Sequence, residues 1–198
     1  MLFRKRQAFS VSAAAILSCL FALDVGAQAF TEVRDPLRGL TFYSAQISTD
    51  PITAVQTEGS RFSRTDQVTL GLSALFFDES DSVDEYVLWL RHDGPRRWFV
   101  GSDDTPLRIN LDGSSIDYSP LHRSGTGETS GATPLIEKLE FSISPEALRE
   151  IIGADSVTIE LQTLLGQVVK TLTLTERDAI SRFAGNVHTR HDAVTPDR

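Results

Sequence analysis

The sequence predicts an α+β fold: a single domain on a mostly antiparallel β-sheet of about eight or nine strands, sandwich-like or an open barrel, with two short C-terminal helices. Three observations predict it. Apolar and polar residues alternate in short runs, as at Val68/Leu70/Leu72, Leu107/Ile109/Leu111, Leu139/Phe141/Ile143 and Val157/Ile159/Leu161, the period of a half-buried strand. Glycine turn signals sit between such runs at Asp93-Gly94, Asp112-Gly113 and Gly166-Gln167. Late in the chain the period twice changes to that of a helix, each time just after a capping residue.

The chain opens with a leader. Arg4, Lys5 and Arg6 form a basic start, residues 8–23 are largely apolar, and Ala27-Gln28-Ala29 is a small-residue cleavage site. A secretory signal over residues 1–29 is expected, with the mature chain starting at Phe30 and lying in the periplasm or outside the cell. The apolar run falls short of the roughly 20 residues a spanning helix needs, and no later stretch is longer or more apolar, so no transmembrane segment is expected in the mature chain. A lipid anchor at Cys19 is the minor alternative, against which Leu17 stands. Cys19 is the only cysteine, so its removal leaves no disulfide, no thiolate nucleophile and no cysteine metal ligand. The remaining 169 residues suit one domain, expected over residues 30–185. They carry 16 basic and 26 acidic residues, a formal net charge of −10. That charge disfavours nucleic acid as a partner.

Taken in order, residues 30–39 contain Asp35-Pro36 and read as an irregular lead-in. Residues 40–47 (LTFYSAQI) are a strand, rich in aromatic and β-branched types. Residues 48–67 read as a long connection. Residues 68–77 (VTLGLSALFF) begin in alternation and end as a continuous apolar run entering the core. Residues 78–85 (DESDSVDE) read as a solvated acidic turn; they lack the glycine and the ligand spacing of an EF-hand. Residues 86–100 read as a hairpin, YVLWLRH and RRWFV around Asp93-Gly94-Pro95, and residues 107–118 as a second, around Asp112-Gly113. Residues 119–134 form a polar loop whose glycine spacing does not match a phosphate-binding motif. Ser144 then caps a helix with Pro145 in its first turn, Leu148, Ile151 and Ile152 as its stripe, and Gly153 as its stop. Strands on either side of Gly166-Gln167 follow. Thr175 with Asp178 is read as the cap of a second helix, striped by Ile180, Phe183 and Ala184 and ended by Gly185. Residues 186–198 read as a flexible polar tail.

Over roughly residues 86–185 this pattern resembles exported, uncharacterised bacterial α+β domain proteins. Trp98-Phe99, Asp112-Gly113, Phe141-Ser142-Ile143, Leu148, Ala154, Val157 and Phe183 carry the resemblance. It implies an α+β domain and an envelope location. It implies no activity, because these are positions of core and turn.

No catalytic constellation is legible. Neither G-x-S-x-G nor S-x-x-K occurs. His188 and His191 have helical metal spacing but stand in a polar segment, so no metal and no cofactor are expected. The densest cluster of interaction-prone residue types is Trp89, Arg91, His92, Arg96, Arg97 and Trp98 in the first hairpin. The expected function is therefore a non-enzymatic envelope module, binding a protein or a small envelope ligand through that hairpin. The alternative is a hydrolase of envelope glycans that uses the carboxylates of residues 78–85.

Overall fold

The computed structural model describes residues 30–48, 52, 54–55, 67–77, 80, 82–94, 106–126, 135–163 and 166–194. These form a six-stranded and a five-stranded sheet around one core, with two helices, an α+β arrangement that is not a closed barrel. The strands are β1 (Phe30–Asp35), β2 (Leu40–Gln46), β3 (Ala54–Val55), β4 (Gln67–Phe77), β5 (Glu85–Gly94), β6 (Leu107–Leu111), β7 (Ser114–Tyr118), β8 (Pro120–Thr126), β9 (Leu135–Ile143), β10 (Val157–Thr163) and β11 (Gly166–Thr171). The helices are α1 (Pro145–Gly153), between β9 and β10, and α2 (Leu174–Val194) at the end. The larger sheet has the order β1-β2-β4-β5-β9-β8 and the smaller β3-β11-β10-β6-β7, with every pairing antiparallel.

Alternation decides which face of each strand meets the core. In the larger sheet Tyr43, Ala45, Leu70, Leu72, Phe76, Leu88, Leu90, Leu139 and Phe141 share the inner face and are buried. In the smaller sheet Leu107, Ile109, Val157, Ile159, Leu161 and Val168 face them. The connection after β2 follows β4: the amides of Ile47 and Ile52 donate to the carbonyls of Leu70 and Val68. It then enters β3 of the other sheet, making one corner of the sandwich. The step from β7 into β8 makes a second.

Several expectations change. Residues 30–35 are a paired edge strand, not an irregular lead-in. The end of β4 keeps alternating, so Phe76 is fully buried while Phe77 faces out at 47% exposure. Asp93 and Gly94 are not the tip of a hairpin: they are the last two residues of β5, which lies between β4 and β9. The predicted second arm, residues 96–100, lies outside the described residues. Non-local pairing on both sides has overridden a local turn signal. The second hairpin forms as read. Asp112 (φ 51°) and Gly113 (φ 91°) both adopt positive φ, the geometry of a two-residue type I′ turn. Part of the predicted loop 119–134 is strand β8, paired to β9 with one register shift between Pro120 and His122. Gly166 and Gln167 are strand residues too, since Gly166 pairs with Thr163.

The helices are capped locally. Ser144 accepts from the Ala147 amide at 3.1 Å and Pro145 opens α1, as the sequence indicates. Gly153 does not stop it in a left-handed turn; Ala154, extended, is the C-cap. In α2 the cap is Thr173, not Thr175. Thr173 Oγ1 accepts from the Glu176 amide at 3.2 Å, and the Glu176 carboxylate accepts from the Thr173 amide at 2.8 Å, a complete capping box. Lys170 closes on the same carboxylate at 2.8 Å. The predicted tail is helical through Val194, and Val187 is fully buried. α2 packs under β1, β2 and β4: Phe183 meets Phe30, Phe30 meets Tyr43, and His188 meets Phe76 edge-on at 6.4 Å.

Candidate functional site

Three of the six predicted site residues lie in β5, and the strand separates them. Odd positions face outward and even positions inward. Trp89 and Arg91 are on the outer face of the larger sheet. His92 points inward with no exposure and pairs with Glu137, directly opposite on β9, at 3.3 Å. Imidazole and carboxyl group thus meet inside the core, where a polar group is costly to bury without a partner. Arg96, Arg97 and Trp98 lie outside the described residues.

Trp89 is only 8% exposed. Its indole lies over Gly71, its cross-strand neighbour on β4, so closely that a Cβ there would fall 1.8 Å from a ring atom. Lys138 sits 5.2 Å from the ring centroid on the other side, in cation–π range. Lys138 also pairs with Glu140 at 2.6 Å, and Arg91 with Asp93 at 3.0 Å. The charges around the tryptophan are therefore already matched within the sheet. This half of the outer face is a self-satisfied surface rather than a free basic patch.

The other half of that face differs. Val33, Phe42 and Leu75 lie side by side across β1, β2 and β4; Leu40 and Phe77 form the next row. Val87 on β5 stands diagonal to Leu75. All point away from the core. Five are half-buried and Phe77 is 47% exposed. Leu37, in the turn joining β1 to β2, is 96% exposed beside them. Asp35, Glu85 and the hydrogen-bonded pair Ser44–Ser73 (3.0 Å) rim the strip. Its signal was present in the sequence: the unbroken ALFF of residues 74–77 puts apolar side chains on both faces of one strand, although it reads at first as burial on both sides.

The carboxylates of residues 78–85 are placed in part. Asp84 accepts from the Phe77 amide at 2.9 Å and from Ser80 Oγ at 2.8 Å, holding the turn between β4 and β5. Glu85 belongs to β5. Asp78, Glu79 and Asp81 lie outside the described residues. A shallow cleft of about 370 Å³ does hold two acidic residues, Asp112 and Glu150, with Ile116 and Ala154. The Asp112 carboxylate is engaged there, accepting from the amides of Asp155 (3.2 Å) and Ser156 (2.7 Å). On the opposite strand face, Arg108 holds the Asp117 carboxyl below its ordinary range through a paired hydrogen bond. Among the described residues no group of three or more histidine, cysteine or acidic side chains is placed to hold a metal ion, and no helix is long and apolar enough to cross a membrane. His188 and His191 both fall within α2.

No family model, no curated protein and no solved structure matches the chain.

Proposed function

We propose that this protein is a non-enzymatic interaction module of the bacterial envelope, exported by its N-terminal leader. We further propose that it binds its partner through the apolar half of the outer face of the larger sheet. The observation that carries this reading is the row Val33, Leu40, Phe42, Leu75 and Phe77 on a solvent-facing sheet surface. Outward positions of an antiparallel sheet ordinarily alternate to polar residues. A contiguous apolar area with a polar rim is the usual character of a binding surface. The outer face of the smaller sheet shows the ordinary case, with Arg108, Asn110, Thr158, Glu160 and Gln162.

The glycan-hydrolase reading has less support. The Asp112 carboxylate in the cleft beside α1 is occupied by backbone amides, and Asp84 is spent on a turn. Of the predicted Trp/Arg surface, Trp89 is largely buried and Arg91 is paired with Asp93, while Arg96, Arg97 and Trp98 lie outside the described residues.

The test places a photoreactive side chain at Phe77 and, as a control on the other sheet, at Gln162, in cells that make the protein. A discrete crosslinked adduct is expected from Phe77 alone. Equal labelling at both positions, or none at Phe77, overturns the reading. Phe77→Ser should change stability by no more than about 0.5 kcal/mol, since the position is half exposed.

A further inference from the structure

We propose that two copies of this chain associate through β1, joining their larger sheets edge to edge about a two-fold axis. This goes beyond the apolar strip and stands whether or not that strip takes a partner. β1 is a sheet edge bonded to β2 on one side, in continuous register from Phe30 to Asp35. Among the described residues no strand pairs its other side, and over residues 31–35 that row of backbone N–H and C=O groups is a ready template for a further strand. The remaining described edges are blunted. β8 starts at a proline and carries a register shift, β3 has two residues, and β7 runs into β8 at the corner between the sheets. β1 has neither proline nor bulge within it.

The charges of β1 select one pairing. A two-fold axis perpendicular to the sheet keeps each face on its own side, so the axis must pass where a residue meets its own copy. Centring on Glu32 sets two carboxylates against each other. Centring on Arg34 sets two guanidinium groups together. Centring on Val33 places Glu32 of each copy opposite Arg34 of the other, Val33 against Val33, and Thr31 opposite Asp35. Within one chain Arg34 and Glu32 already meet at 2.8 Å, and their side chains are 49% and 28% exposed. Both are therefore accessible for the exchange. Val33 also belongs to the apolar strip, so this pairing would make the two strips continuous across the axis. An edge of this length is small beside a standard interface of about 1,600 Å², which sets a weak, concentration-dependent dimer.

Sedimentation equilibrium of the purified protein tests this over micromolar to millimolar concentrations. The wild type should approach twice its monomer mass as concentration rises; a monomer throughout overturns the proposal. Glu32→Arg and Arg34→Glu each turn both cross-strand pairs from attractive to repulsive. Each should raise the dissociation constant about thirtyfold. Mixing the two variants should restore association, because an Arg/Arg edge then meets a Glu/Glu edge. The double variant Glu32→Arg/Arg34→Glu should dimerise like the wild type. Single variants that dimerise as tightly as the wild type, or a mixture that stays monomeric, overturn the pairing. The crosslinking result at Phe77 is read separately, so either proposal can fail alone.

Discussion

Trp89 can lie flat on the larger sheet because residue 71, across from it on β4, has no side chain. Gly71 is buried and makes room for an indole whose Nε1 has no hydrogen-bond partner among the described residues. Packing against Gly71 and the cation above therefore holds the ring. Gly71→Ala should displace it and destabilise the fold by about 1–3 kcal/mol. In a Trp98→Phe background the remaining tryptophan emission should move to longer wavelength as Trp89 becomes exposed. His92 is the inward counterpart. His92→Leu leaves the Glu137 carboxylate in the core without its histidine and should cost about 3 kcal/mol in chemical denaturation. His92→Leu/Glu137→Leu should recover most of that loss, since a buried pair replaced by apolar groups is often near neutral. The inward side of His92 was legible in its parity with Tyr86, Leu88 and Leu90. The Asp93-Gly94 turn signal obscured it by placing the histidine at a hairpin tip. Glu137 as its partner was not legible, because strand pairing across 45 positions of the chain depends on the assembled sheet.

Among the elements, local signals held where nothing distant competed with them. Asp112-Gly113 forms its turn because β6 and β7 are both short and pair with each other. The Asp112 carboxylate then reaches the amides at the start of β10, so the turn also fixes the exit from α1. Asp93-Gly94 is the same dipeptide but lies in a central strand, where pairing with two neighbours outweighs one turn. The α2 cap shows a finer error. Thr173 and Glu176 fit S/T-x-x-E, and Thr175 with Asp178 looks similar two residues later. Burial decides between them: Glu176 is 2% exposed and bonded to Thr173 and Lys170. Thr173→Ala should lower stability by about 1 kcal/mol and Thr175→Ala by less than half of that, read from paired thermal melts. Equal losses would return the cap to Thr175.

For the whole molecule, α2 is what the larger sheet needs at its β1 side. Phe183 and His188 reach the aromatic group of Phe30, Tyr43 and Phe76, and Val187 between them in the helix is fully buried. Ending the chain after Asn186 removes Val187, which is fully buried, and the histidine ring against Phe76. A loss of about 2 kcal/mol is expected, measured by urea unfolding. An unchanged midpoint would make the last turns of the helix dispensable.

The sequence by itself determined the α+β class, the inward-facing positions of most strands, the Asp112-Gly113 turn and the start of α1. Each follows from contacts between residues close in the chain, or from a periodicity that any half-buried strand or helix must show. Tertiary structure alone decided that β5 is central, that residues 30–35 and part of the polar loop are edge strands, and that residues 186–194 are helix. It also decided that the apolar residues of 74–77 divide between core and solvent. Those outcomes depend on which strands become neighbours. That choice is settled by burying one shared core, a term summed over the whole chain and written in no single segment of it.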